Sequence, residues 1–132
     1  MKTNIMFVDY NEALLKSLQF IFEDEPYDLS AFRNPMEALN EIQEKEFAVV
    51  VAEQSLPEIR GIGLLKKVKA HSPNTIGMVM SVFSEIQVPL DVLNNGLVYR
   101  YLKKPWDNED LKQAVKMAVT RYELNCSERN MG

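Results

Sequence analysis

The chain of 132 residues contains one cysteine, Cys126, and no long run of apolar residues. An internal disulfide therefore cannot form, and this composition fits a reducing compartment. Only four consecutive apolar residues precede Asp9, whereas a signal peptide needs a longer apolar region, and no run approaches the ~20 residues that span a bilayer. These absences predict a soluble, cytoplasmic protein without a membrane segment.

Concentrated positive charge is also missing. The formal net charge is −4, and the basic residues are scattered apart from Lys66, Lys67, Lys69 and the pair Lys103-Lys104. Binding to nucleic-acid phosphates needs a dense basic patch, so we expect no nucleic-acid binding by this domain. The lysines at 66–69 stand in an amphipathic pattern that indicates the solvated face of a helix.

A glycine-rich phosphate loop is absent after the first apolar run, where the sequence is DYNEA (9–13). Such loops place backbone N–H groups against phosphates at the start of a helix. Their absence argues against dinucleotide and nucleoside-triphosphate binding. The sequence also shows no internal repeat and no low-complexity segment.

Three apolar runs each lead into a charged residue. The run 5–8 ends in Asp9, the run 47–52 ends in Glu53, and the run 99–103 leads into Lys104. In a parallel α/β sheet the carboxyl ends of the strands line one edge, where ligands bind. The pattern therefore predicts one small charged site built from two carboxylates and an ammonium.

Apolar runs alternate with helical patterns along the chain. Strands are predicted at 4–9, 27–32, 47–53, 75–81 and 98–102, and helices at 11–24, 35–45, 61–70, around 89–96 and from 107 to 123 or beyond. Strands separated by helices require right-handed crossovers and a parallel sheet. The order predicts a doubly wound, three-layer α/β domain over 1–124, followed by a tail or the start of a linker at 125–132.

The fourth predicted helix has an ambiguous start. Ser84 and Gln87 have the spacing of a capping box, but Pro89 would then fall inside the helix at a cost of ~3 kcal/mol. A start near Pro89 avoids this cost. Asn94-Asn95-Gly96 is a good signal for the end of that helix.

Four motifs stand at the predicted strand ends: IMFVDYN (5–11), VVVAEQSLPEIRG (49–61), MVMSVFS (78–84) and YRYLKKPW (99–106). With these motifs the chain resembles a response-regulator receiver domain of the CheY-like type over residues 3–123. The resemblance implies a flavodoxin-like (βα)5 fold with strand order 2-1-3-4-5. It also implies a signal-transduction module of a two-component phosphorelay that is not itself an enzyme.

In the family, two acidic residues help to hold magnesium, an aspartate accepts a phosphoryl group, and a lysine contacts that group. A hydroxyl residue and an aromatic residue then change position as a switch. The resemblance assigns these places to Asp9 and Tyr10 (acidic pair), Glu53 (phosphoacceptor), Lys104 (lysine), Ser81 and Tyr101 (switch) and Pro105 (a proline usually preceded by a cis bond).

Two of these residues depart from the family pattern. Tyr10 removes a carboxylate ligand, and Glu53 carries its carboxylate about one methylene further out than aspartate. Because a misplacement of about 1 Å can cost ~100-fold in rate, we expect no conventional phosphorylation at Glu53. We predict that no cofactor is bound, apart from weak magnesium binding by Asp9 and Glu53 alone.

The longer Glu53 side chain could instead reach Lys104 and Ser81. Two interpretations stay open: a pseudo-receiver held in or biased toward one conformation, and a drifted residue in a domain retained as a docking scaffold. A receiver-like sensor is the alternative function, in which a pocket around Tyr10 accepts a small molecule or ion. A hydrolase with Asp9 as nucleophile is disfavoured, because no second acid–base residue adjoins Asp9.

The resemblance also implies partners. We expect a protein partner or a covalently attached output domain. The face formed by the fourth helix, the fifth strand and the fifth helix is a candidate surface for a homodimer.

Overall fold

The structure is a computed structural model that describes residues 2–82 and 96–131, with side chains through residue 128. The five strands are β1 (Thr3–Val8), β2 (Tyr27–Phe32), β3 (Val49–Glu53), β4 (Ile76–Ser81) and β5 (Arg100–Lys103). The helices within these ranges are α1 (Glu12–Ile21), α2 (Pro35–Glu44), α3 (Gly61–His71) and α4 (Asn108–Met131). Helix α4 is the fifth helix of the prediction, and the predicted fourth helix with its start near Pro89 lies outside the described residues.

The strands form one parallel sheet in the order β2-β1-β3-β4-β5. This order confirms the predicted fold. Strands β1, β3 and β4 occupy the middle of the sheet, and their residues are almost entirely buried. Their continuous apolar sequences fit strands that are covered on both faces.

Two apolar clusters fill the space between the sheet and its helices. One face packs against Leu15 and Leu18 of α1 and against Leu111, Ala114 and Val115 of α4. The other face packs against Ala38 and Ile42 of α2 and against Leu64, Leu65 and Val68 of α3. The three layers therefore leave the carboxyl edge of the sheet as the place where strand ends and loops meet.

The helix starts follow the sequence signals. The Asn34 side chain accepts hydrogen bonds from the N–H groups of Met36 and Glu37, and Pro35 occupies the first turn of α2. The Asp107 side chain accepts from the N–H groups of Glu109 and Asp110 at the start of α4. Each cap satisfies N–H groups that have no partner within the helix.

Helix α1 is shorter than predicted, since it ends at Ile21 rather than near residue 24. Tight turns replace it: the N–H of Glu23 bonds to Phe20 O, and the N–H of Glu25 bonds to Phe22 O. The following Pro26 disfavours helical geometry in the residue before it, which explains why the helix cannot continue.

Strand β3 begins at Val49 rather than at residue 47, although Phe47 and Ala48 are buried. Gly96, predicted to end the fourth helix, has a φ of 76°, a left-handed conformation that favours glycine. None of the helices in the described ranges is both long enough and apolar enough to cross a membrane.

Candidate functional site

Three charged side chains meet at the carboxyl edge of the sheet. Asp9 follows β1, Glu53 ends β3, and Lys104 follows β5. The ammonium of Lys104 lies 2.6 Å from Asp9 Oδ2 and 2.5 Å from Glu53 Oε1. We call these three residues the ion cluster. One lysine thus bridges two carboxylates that lie far apart in the sequence.

The second oxygen of each carboxylate is bound by the backbone. The N–H of Asn11 donates to Asp9 Oδ1, and the N–H of Ser55 donates to Glu53 Oε2, each at 2.8 Å. All four carboxylate oxygens therefore have a hydrogen-bond partner. Both carboxylates are buried, and the Lys104 side chain is 14% exposed.

Burial and the neighbouring carboxylates shift the pKa of Lys104 in opposite directions. Burial alone would lower the pKa of its ammonium, because it disfavours the charged form. The hydrogen bonds and negative charges of Asp9 and Glu53 outweigh this effect, so the pKa of Lys104 is raised. Counted by formal charges, with two carboxylates and one ammonium, the ion cluster has a net charge of −1.

The loop after β3 is packed closely against the start of α3. A Cβ at Gly61 would lie 2.7 Å from the backbone oxygen of Glu53, so only glycine fits without a shift. The Gln54 side chain accepts a hydrogen bond from the N–H of Ile62. These contacts fix the backbone from which the Glu53 side chain projects.

Tyr10 lies beside the ion cluster in sequence, and its side chain is 51% exposed. Its backbone oxygen accepts a hydrogen bond from Arg33 Nε at 3.2 Å. A phenol in this position supplies no carboxylate oxygen. At the position that the resemblance gives to a second acidic residue, the site therefore has a phenol.

The donor set of the site departs from the one that magnesium normally takes. Mg²⁺ takes oxygen ligands in near-octahedral geometry, normally including one or two carboxylates. Here the oxygens of Asp9 and Glu53 are bound by an ammonium and by backbone N–H groups. Within residues 2–82 and 96–131, no group of three or more histidine, cysteine or acidic side chains is arranged to hold a metal.

Ser81 and Tyr101 are both turned into the domain. Ser81 ends β4 and is buried, and its backbone oxygen accepts a hydrogen bond from the N–H of Lys104 at 2.8 Å. Tyr101 packs against the apolar cluster on the α2–α3 face. Its hydroxyl oxygen is buried without a hydrogen-bond partner in the described part of the chain, and burial raises the pKa of this phenol.

The Lys104–Pro105 peptide bond is cis, as the resemblance implies for the family proline.

The sequence did not lead us to expect the two backbone donors, Asn11 and Ser55. A signal was present, because each donor stands two residues after its carboxylate, a spacing at which a short acidic side chain can bond its own backbone.

The stability of the domain is expected to fall above about pH 10. A group whose pKa is raised by folding contributes stability that is complete below its ordinary value and is lost as the pH rises through the folded value. The ordinary values are 10.5 for Lys104 and 10.0 for Tyr101, and burial also raises the pKa of Tyr27 and Tyr122. Urea unfolding between about pH 9 and about pH 11 measures the loss. Lys104→Met should show a smaller loss over this interval, and an equal loss in the variant and the natural chain would contradict the role of Lys104.

Comparison with known proteins identifies the family of the chain. The family profile described as response regulator receiver domain matches residues 5–116. The hydrogenase transcriptional regulatory protein HoxA of Bradyrhizobium diazoefficiens is 27% identical over 108 residues, which cover 82% of this chain and 22% of HoxA. The chain spans about a quarter of the length of the first curated relatives that it matches.

Solved structures show the same architecture. The signal receiver domain of an HD domain-containing protein from Pseudomonas fluorescens Pf-5 superimposes with a TM-score of 0.86 at 29% identity, covering 98% of this chain and 93% of that one. The beryllofluoride-activated NtrC4 receiver domain dimer superimposes with a TM-score of 0.82 at 26% identity, covering 90% and 98%.

Proposed function

The chain belongs to the response regulator receiver family, and from this premise we propose that it is a signalling receiver that acts through protein contacts without conventional phosphorylation. The family assignment supports a role in two-component signal transduction. The proposal that phosphorylation is absent rests on the chemistry of the site. The observation that carries it is the bridge formed by Lys104 between Asp9 and Glu53.

This bridge removes two requirements of phosphoryl transfer. Transfer depends on positioning and on charge neutralisation by metal ions, because the transferred oxygens carry negative charge. The donor set here does not fit magnesium, and the oxygens of Glu53 are bound by Lys104 Nζ and Ser55 N. An attacking oxygen would have to give up one of these hydrogen bonds in a site without its metal.

The same bridge supports a fixed conformation. Glu53 is long enough to bring a negative charge to Lys104 from the end of β3. A phosphorylated side chain at this position would also place a negative charge near Lys104. A shift of a few kcal/mol is enough to bias a two-state equilibrium. Of the two interpretations of Glu53, this contact favours a receiver biased toward one conformation over an incidental replacement in a scaffold.

We propose that the domain is not an enzyme. Asp9, the nucleophile of the hydrolase alternative, is fully buried and has both oxygens hydrogen-bonded. An attacking carboxylate needs access to its substrate and a neighbouring acid–base group. The burial of Asp9 therefore gives the hydrolase alternative no support.

We propose that the partners are proteins: an output domain attached to the chain, a separate protein, or a second copy. Solved relatives include a receiver domain dimer. The candidate homodimer face includes β5 and α4, and its remaining helix lies outside the described residues. Strand β5 is one of the two edge strands of the sheet, with exposed Tyr99 beside it and exposed Arg100 within it, so this face presents groups that a partner can contact.

Magnesium is expected to cause no saturable change in the fluorescence of Trp106, the single tryptophan, at submillimolar concentrations. Trp106 stands two positions after Lys104 and would report a change at the ion cluster. The double variant Tyr10→Asp with Glu53→Asp is the matched control, since it restores the family's carboxylates. Saturation of the natural chain below millimolar magnesium would contradict the proposal.

A further inference from the structure

The two halves of helix α4 are held by different kinds of contact. Residues from Leu111 to Val119 carry the buried apolar side chains that pack against the sheet. The helix then continues to Met131, so residues 120–131 extend for about 18 Å beyond this stretch at ~1.5 Å per residue. We call residues 120–131 the arm.

The arm is bound by polar groups at the amino edge of the sheet, opposite the ion cluster. The hydroxyl of Tyr122 donates a hydrogen bond to Glu46 Oε2. Asn125 Nδ2 donates to the backbone oxygen of Asn74 at 3.3 Å, and Asn74 Nδ2 donates to Cys126 Sγ at 3.8 Å. We call these five residues the amino-edge cluster. Because Glu46 precedes β3 and Asn74 precedes β4, two loops contact the same stretch of the helix.

The two loops are also joined to each other and to the sheet. Glu46 Oε1 lies 3.4 Å from Ser72 Oγ, and the backbone oxygen of Glu46 accepts a hydrogen bond from Asn4 Nδ2 at 3.1 Å. Ser72 Oγ lies 2.7 Å from Thr75 Oγ1, which donates to the backbone oxygen of Phe47 at 2.6 Å. The carboxylate that receives the Tyr122 hydroxyl is therefore held by the body of the domain.

The phenol of Tyr122 remains a donor across the ordinary pH range. Burial and the hydrogen bond to Glu46 raise the pKa of Tyr122 above its ordinary value of 10.0. Hydrogen bonds to an ionised acceptor are stronger than those between neutral groups. The contact between Tyr122 and Glu46 is thus the strongest single polar contact that the amino-edge cluster can offer to the arm.

The arm has little apolar support of its own. Tyr122 is half-buried beside the apolar cluster, whereas Arg121, Glu123 and Leu124 are exposed. Regions with few buried apolar contacts open locally at a lower free energy than the core does. A separate helix of about twelve residues is marginal in water. An arm released from the amino-edge cluster would therefore not keep a fixed direction.

We propose that the amino-edge cluster is a latch that fixes the direction in which α4 leaves the sheet, and that the arm opens and closes as a unit separate from the rest of the domain. A partner that binds the open arm would shift this equilibrium toward opening. The inference does not rest on the proposed function, because the latch lies at the edge opposite the ion cluster and contains none of its residues.

Amide hydrogen exchange followed by NMR tests the latch. In the natural chain, the amides of residues 123–128 should exchange by an opening that leaves residues 111–119 protected. Glu46→Ala removes the acceptor without altering the helix sequence, and Tyr122→Phe removes the donor with little change in helix propensity. Each variant should exchange about fivefold faster at 123–128, as expected for the loss of one hydrogen bond, and unchanged at 111–119.

Glu44→Ala is the matched control. Glu44 is exposed, lies two positions before Glu46 and has the same charge, but it is not part of the amino-edge cluster. Its replacement should leave exchange at 123–128 as it is in the natural chain. The double variant Glu46→Ala with Tyr122→Phe should exchange no faster than either single variant, because both substitutions remove the same hydrogen bond.

Three results would overturn the proposal. Equal exchange at 123–128 in Glu46→Ala and Glu44→Ala would show that the carboxylate of Glu46 does not hold the arm. Equal acceleration at 111–119 and 123–128 would show that the helix opens as a whole. Multiplied effects in the double variant would show that Glu46 and Tyr122 act separately rather than as one latch.

Discussion

Lys104→Met is expected to lower the free energy of unfolding by about 3–5 kcal/mol at neutral pH. The substitution keeps a side chain of similar length and removes the ammonium from between Asp9 and Glu53. Two buried carboxylates would then face each other without a positive charge, and removing one partner of a buried ion pair is costly for this reason. Urea unfolding at neutral pH, followed by circular dichroism, measures the difference.

Lys103→Met is the matched control. Lys103 is the neighbouring lysine, it is exposed, and no ion pair involves it within the described residues. Its replacement should change the free energy of unfolding by no more than about 0.5 kcal/mol, as is usual for surface positions. Adding Asp9→Asn and Glu53→Gln to Lys104→Met should recover much of the loss, because the variant then buries no unpaired charge.

Equal stability of Lys104→Met and Lys103→Met would contradict the buried ion cluster. The buried ion cluster would also be contradicted if the triple variant were no more stable than Lys104→Met alone.

The double variant Tyr10→Asp with Glu53→Asp is expected to become phosphorylated by acetyl phosphate in the presence of magnesium, whereas the natural chain is not. Tyr10→Asp supplies the missing carboxylate for the metal. Glu53→Asp withdraws the other carboxylate by about one methylene, which opens the contact with Lys104 and restores the nucleophile of the family. Intact-mass measurement after incubation detects the added phosphoryl group.

The single variants separate the two causes. Tyr10→Asp alone keeps Glu53 bound to Lys104, and Glu53→Asp alone lacks the second acidic ligand. We expect the double variant to react at least about 100-fold faster than either single variant, because a misplaced nucleophile or a missing metal each carries a cost of this order. A double variant that remains unmodified would show that other residues prevent the chemistry.

Much of the fold follows from the sequence. The alternation of buried strands with amphipathic helices, together with right-handed crossovers, leads to a parallel sheet with its strand ends at one edge. Asp9, Glu53 and Lys104 could be placed together for this reason alone. The C-terminal end of α1 could not be predicted from the sequence, because two tight turns before Pro26 end the helix earlier than its apolar pattern indicates.

The hydrogen bonds that complete the ion cluster could not be predicted from the sequence. Sequence spacing brings Lys104 near both carboxylates, but it does not show that Asn11 N and Ser55 N bind the remaining oxygens. That depends on the path of two loops, which backbone contacts such as those of Gly61 determine.

The proposed role depends on one claim, namely that Lys104 closes the site on Asp9 and Glu53 and leaves no place for a metal and a phosphoryl group. The most direct test is the ¹H–¹⁵N spectrum of the natural chain before and after addition of magnesium and beryllofluoride, a combination that imitates a phosphorylated receiver. The account predicts unchanged signals for Glu53, Ser81, Tyr101 and Lys104. Saturable shifts of these signals would show that the site binds the metal and the phosphoryl mimic, and would contradict the account.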